Sequence, residues 1–121
     1  MIVGQTLFSV RKGTEHRAET ALHDLDGLLR SAPGHQAHRV LRSFGMSPIG
    51  SALHDELREG ELGAIHYVVQ TEWESLESHD DFYRGEALGR VYALLSSILA
   101  TGPYEVLYDV LEQADRSGVA A

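Results

Sequence analysis

Apolar positions along this chain recur with two different periods, and the switch between them outlines the elements. In Ile65-His66-Tyr67-Val68-Val69-Gln70-Thr71-Glu72-Trp73, residues 65, 67, 69, 71 and 73 share one pleat face, apolar apart from Thr71 and the Tyr67 hydroxyl. His66, Val68, Gln70 and Glu72 make a half-polar opposite face, which predicts a strand. Directly after it, Leu76, His79, Phe82, Tyr83, Val91, Leu94, Leu95 and Ile98 return at three- and four-residue steps. That stripe predicts a single helix of roughly 25 residues, about 37 Å long. Ser75 reads as its N-cap; a capping box is missing because position 78 is serine, although Glu77 favours the first turn through the helix dipole. Gly85 and Gly89 each weaken the middle by up to about 1 kcal/mol relative to alanine, so a bend or a close approach is expected there.

The same reading extends to the rest of the chain. Residues 2–10 alternate as a first strand and Arg11-Lys12-Gly13 turns it. Thr14 is placed to cap a helix reaching about residue 31, with Ala18, Ala21, Leu22, Leu25, Leu28 and Leu29 on its apolar side and Pro33-Gly34 as its stop. Residues 35–44 predict a second strand, with His38, Val40, Arg42 and Phe44 on one face and Ala37, Arg39, Leu41 and Ser43 on the other; its polarity suits a sheet edge. The connection 45–62 is too long for a hairpin, and Ser47-Pro48 has the form of a helix start, so a short helix is expected over 49–58, stopped by Gly60. Thr101-Gly102-Pro103 reads as a break before a last strand over 104–111, and 114–121 as a loose tail behind a single domain, 1–113.

The order β-α-β-β-α-β is the ferredoxin-like α+β plan, a four-stranded antiparallel sheet with its helices on one face. The other face would carry Leu41, Val68 and members of the outer strands, too apolar for water, so a homodimer built sheet to sheet is expected.

Composition narrows the chemistry. A length of 121 residues allows one compact domain, and 43% hydrophobic residues argue against general disorder. No apolar run approaches the roughly 20 residues of a membrane span, and no signal segment opens the chain, so a cytoplasmic protein without a membrane partner is expected. The absence of cysteine removes disulfides, thiolate metal sites and cysteine nucleophiles. A formal charge of -8 with scattered basic residues argues against nucleic acid. The pairs His35/His38 on a strand and His16/His23 on a helix lack the offsets that bring two imidazoles to one metal, and His54-Asp55-Glu56 reads as a solvated helix face. No phosphate loop, nucleophile elbow or dinucleotide fingerprint is present, so neither a metal nor a cofactor is expected.

Three local patterns carry a family resemblance: Val10-Arg11-Lys12-Gly13 before the first helix, Ala32-Pro33-Gly34 before the second strand and Trp73-Glu74-Ser75 between strand and helix. With the element order, they make residues 3–111 resemble the antibiotic biosynthesis monooxygenase family of the dimeric α/β-barrel superfamily. The resemblance implies a homodimer whose sheets form a barrel, with a pocket in each subunit between sheet and helices. It also implies a choice of activities, among them oxygenation of aromatic polyketides without metal or flavin, haem degradation and action on signalling molecules. Family members often carry a histidine nine residues after the strand-end tryptophan; here that position is Phe82, and His79 lies one turn earlier. With Phe82 and Tyr92 at the helix positions used by haem-degrading relatives, that activity is set aside.

If strands two and three pair symmetrically about their connection, His38, Val40 and Arg42 share the face of Tyr67, Val69, Thr71 and Trp73, towards which His79 and Tyr83 would point. Walls of Tyr67, Trp73, Phe82 and Tyr83 suit a flat aromatic substrate. Cofactor-independent oxygenation mainly needs a base, because the anion it creates can itself reduce dioxygen. His79 is the first candidate for that base and His38 the second, with Arg42 as an anion clamp. Each of these residues also has a purely structural reading, as hydrogen-bonded or packed core. The expected function is therefore a small monooxygenase acting on a polycyclic aromatic or polyketide-derived molecule. The alternatives are a polyketide cyclase or isomerase using the same pocket and a non-catalytic ligand-binding domain.

Overall fold

β1 (Ile2–Val10), α1 (Glu15–Arg30), β2 (His35–Arg42), β3 (Ile65–Trp73), α2 (Leu76–Tyr83), α3 (Glu86–Leu95) and β4 (Leu99–Asp109) follow in that order in a computed structural model. It describes residues 1–45 and 63–115; the helix expected over 49–58, with His54-Asp55-Glu56, and the end of the expected tail lie outside the described residues. The strands form one sheet in the order β2-β3-β1-β4, every neighbouring pair antiparallel, with β2 at an edge as its polarity predicts. This is the ferredoxin-like α+β arrangement, with two helices among the described residues where the sequence pattern expects one long second helix. Among the described residues no helix is long and apolar enough to cross a membrane.

Strand register settles which side chains meet. Arg42 lies opposite Tyr67, Val40 opposite Val69 and His38 opposite Thr71, so the predicted parity of β2 against β3 holds. On the other flank of β3, Phe8 faces Tyr67, Thr6 faces Val69 and Gly4 faces Thr71. Directly opposed residues share a face. Here that face is buried by Ala18, Ala21, Leu22, Leu25 and Leu29 of α1 and by Leu88, Val91 and Leu95 of α3. Trimming any of these leucines to alanine should cost about 2–5 kcal/mol.

The long second helix of the sequence pattern is instead two helices. Gly85 is extended (φ -70°, ψ 138°) and caps α3, while its N–H donates to the Phe82 carbonyl to close α2. Glycine is the weakest helix former short of proline, and the chain breaks at the first of its two glycines. The break rotates the stripe: Leu88 enters the core, whereas Leu76 and Leu94, expected inside, are exposed. β4 also begins earlier than predicted, at Leu99, and absorbs the expected break as an irregularity in its pairing with β1. Gly102 makes this feasible with φ +77°, where a Cβ would stand 2.5 Å from the Leu7 carbonyl oxygen. β2 stops at Arg42, short of the predicted 44. Thr14 does not cap α1 through its side chain; its hydroxyl donates to the Arg11 carbonyl, and the Glu15 carboxylate accepts from the Gly13 N–H.

Two of the motifs behind the family resemblance touch. The Ser75 hydroxyl caps α2 by accepting the Ser78 N–H at 3.1 Å, and the Glu74 N–H donates to the Gly34 carbonyl at 2.8 Å. At Gly34 (φ +79°) a Cβ would lie 2.2 Å from the Ser78 hydroxyl oxygen, so the Pro33-Gly34 turn fits beneath the start of α2 only as glycine.

The helix-free face of the sheet is half-polar and carries an exposed apolar row. Leu41, Val68, Leu7 and Tyr104 form one cross-strand row, and Val106 and Tyr108 continue the patch along β4. Leu41, Tyr104, Val106 and Tyr108 are all exposed.

Candidate functional site

His79 projects from α2 and is buried beneath it, edge-on to the Trp73 ring at 5.9 Å and tilted against Tyr83 at 4.5 Å. Its Nε2 is 2.6 Å from Glu105 Oε1, and its Nδ1 is 2.8 Å from Asp80 Oδ1. Glu105 stands opposite Thr6 in the β1–β4 register, which turns its carboxylate to the helix-covered face. Gly4 leaves room for it: a Cβ there would lie 2.6 Å from Glu105 Oε2 and 3.0 Å from Thr71 Oγ1. The Thr6 hydroxyl donates to Glu105 Oε2 at 3.4 Å and is 3.4 Å from the Tyr83 hydroxyl. Burial pushes the Tyr83 and Tyr92 phenols up, so both remain O–H donors. The Tyr92 hydroxyl is buried near Thr6 without meeting hydrogen-bond geometry to any described residue. A buried donor without a well-formed hydrogen bond is uncommon.

The second candidate base has different company. His38 Nε2 is 2.7 Å from Asp26 Oδ1, and its Nδ1 is 2.9 Å from His35 Nε2. The Arg30 guanidinium first, and His38 second, hold Asp26 down at about 2. His35 is pushed below its ordinary value by burial and then by its neighbour His38, and its ring lies edge-on to Trp73 at 5.8 Å. Arg42 is engaged by both carboxylate oxygens of Glu19, at 2.8 and 3.1 Å, and the Tyr67 hydroxyl donates to the same carboxylate at 2.8 Å. Glu19 is accordingly lowered, by Arg42 and then Tyr67, while burial and then Glu19 raise Tyr67.

The seven residues picked from the sequence therefore fall into two groups. His79, Tyr83, Trp73 and Phe82 come together under α2, with Phe82 5.3 Å from Trp73 and 5.5 Å from Tyr83. His38, Tyr67 and Arg42 are tied to acidic residues of α1 instead. Trp73 is the wall between them, its own N–H given to Thr71 at 2.9 Å. Phe82 also lines a mostly apolar cleft of about 330 Å³ between α1 and the α2–α3 pair, with Leu28, Ala32, Pro33 and Leu88. Sequence reasoning missed Glu105, Asp80, Thr6, Gly4 and Tyr92. The available signal was Glu105 itself, a lone acid in the apolar run Tyr104-Glu105-Val106-Leu107.

No protein-family model and no curated protein sequence matches this chain. Solved structures do, and several are antibiotic biosynthesis monooxygenases by description. A Deinococcus radiodurans protein provisionally assigned to that group superposes with a TM-score of 0.71 at 12% identity, over 95% of this chain and 97% of its own. A Nitrosomonas europaea protein with the same provisional assignment gives 0.68 at 13% identity, over 92% and 99%. SnoaB from Streptomyces nogalater, a cofactor-independent oxygenase, gives 0.64 at 11% identity, over 93% and 94%. At these identities the likeness establishes the fold, shared over most of this chain and of chains of similar length.

Proposed function

We propose that the protein is a cofactor-independent oxygenase of the antibiotic biosynthesis monooxygenase type, acting on a polycyclic aromatic or polyketide-derived substrate that carries an acidic C–H or phenol. The observation that carries this reading is the His79–Glu105 pair, an acid–base unit held at 2.6 Å between sheet and helices and bordered by Trp73 and Tyr83. The pair takes the proton, and the buried phenols of Tyr83 and Tyr92 donate to the oxyanion that develops. Dioxygen then accepts electrons from the anion: one oxygen atom joins the substrate carbon and the other leaves as water, with all electrons supplied by the substrate. Phe82 and Tyr83, partly exposed, offer aromatic surface to such a substrate, and the buried Trp73 backs them. Tyr67, Arg42 and His38 support this surface from the α1 side.

The working form is a homodimer closed over the open sheet face, since an apolar row of Leu41, Val68, Leu7 and Tyr104 calls for a partner. The test is oxygen uptake by the purified protein with an anthrone, scored by product mass. A product that has gained one oxygen and lost two hydrogens supports the reading. Conversion at unchanged mass points to an isomerase or cyclase. No turnover and no substrate-induced rise in melting temperature would leave a non-catalytic domain.

A further inference from the structure

We propose that Glu105 accepts the substrate proton through Oε2, and that His79 serves it as a fixed imidazolium and is not itself the base. The inference rests on the functional reading above and assigns its acid–base step to one atom. A carboxylate only accepts hydrogen bonds, and His79 meets one on each side, Glu105 at Nε2 and Asp80 at Nδ1. With both carboxylates ionised, both contacts are satisfied only when both ring nitrogens carry hydrogen. Such a ring is a cation with no lone pair left to receive a proton.

Glu105 has what His79 lacks. Its Oε1 is used by the imidazole, while Oε2 accepts one long hydrogen bond, from the Thr6 hydroxyl at 3.4 Å, with the Tyr83 phenol close to the same carboxylate. Each carboxylate oxygen has two lone pairs, so Oε2 keeps one open. The carboxylate can take this place because residue 4 is glycine, where a Cβ would lie 2.6 Å from Oε2. Glu105 is also the more reachable of the two, with its side chain 16% exposed against 7% for His79. Its charged and titratable neighbours are His79, with Asp80 beyond it, and the phenols Tyr83 and Tyr92. In the step itself, the substrate C–H bond breaks, an O–H bond forms at Oε2, and the electron pair stays on the substrate as an enolate. The imidazolium, still held by Asp80 and by the now neutral Glu105, then faces the new anion. Negative charge moves from protein to substrate beside a fixed positive charge, the arrangement that lowers a barrier most in a dry site.

Two measurements test this. In protein labelled with ¹⁵N-histidine and kept in neutral buffer, the His79 ring, assigned by its loss in His79→Gln, is expected to give two protonated nitrogens. An anthrone incubated anaerobically in D₂O reports proton abstraction alone, as exchange of its benzylic C–H. Glu105→Gln is expected to slow that exchange by about 100-fold or more, with partial recovery in Glu105→Asp, whereas His79→Gln loses only about tenfold. An unprotonated Nε2 in the wild type, or exchange that survives Glu105→Gln and vanishes in His79→Gln, would overturn the assignment while leaving the oxygenase reading in place. No exchange by the wild type would overturn both. Should Glu105→Gln fail to fold, the ¹⁵N measurement on the wild type decides alone.

Discussion

His35 and His79 flank Trp73, and the partner sets on its two sides suit different charges. On the α1 side, His38 can donate its Nε2–H to Asp26 and accept the His35 N–H at Nδ1, so every contact is satisfied with both rings neutral. The lowered His35 agrees with that state. On the α2 side, His79 stands between two carboxylates, and the hydrogen bonds close only around a cation. Burial alone therefore says little about what a histidine does. The α1-side set is a strut fastening an edge strand to a helix, while the α2-side set sandwiches a buried ring between two carboxylates.

The comparison can be broken at its common wall. Trp73→Ala should destabilise the fold by about 3–5 kcal/mol in urea unfolding, because the indole fills the space between both networks. Loss of only one network, seen as unchanged ¹⁵N signals from the other histidine, would deny that it separates them. Next in size, His79→Ala should lower anthrone oxygenation about tenfold or more while His38→Ala leaves it within about threefold. Equal losses would erase the distinction.

Gly4→Ala tests the room in front of Glu105. It should destabilise by about 1–3 kcal/mol through crowding, whereas Gly89→Ala, with open space around it inside α3, should stabilise by up to about 1 kcal/mol. A neutral Gly4→Ala would mean that the carboxylate has other places to go. Smallest is an acid effect on the α1 side. Asp26 lies below its ordinary 3.8, at about 2, so it favours the folded state above 3.8 and loses that contribution as pH falls through about 2. Asp26→Asn should flatten the fall in melting temperature over that window.

Strands β1 and β3 and helix α1 were legible because their residues keep one period from end to end and both strands sit inside the sheet. The Gly85 break was half legible: glycine marked a weak point, but only tertiary packing decides whether a weak helix bends or ends. At the site, α2 announced His79, Phe82 and Tyr83 by their spacing. Glu105 lay inside the expected last strand over 104–111 and still escaped, because its pairing with Thr6 is set by a bulged register that no local pattern encodes. His38 and Arg42 lay on the predicted face, yet their partners Asp26 and Glu19 come from α1, whose rotation over the sheet is a packing outcome.

The break at Gly85 leaves α2 with eight residues, little more than two turns. A helix that short does not hold together in water. It persists because Ser75 caps one end, Gly85 closes the other, and His79 is the one side chain of this segment fully tucked beneath it. The imidazole is thus also the peg on which the segment hangs, and drift at this position would loosen secondary structure together with reactivity. Hydrogen exchange of the amides of residues 79–83 would register that slackening before any change in global unfolding.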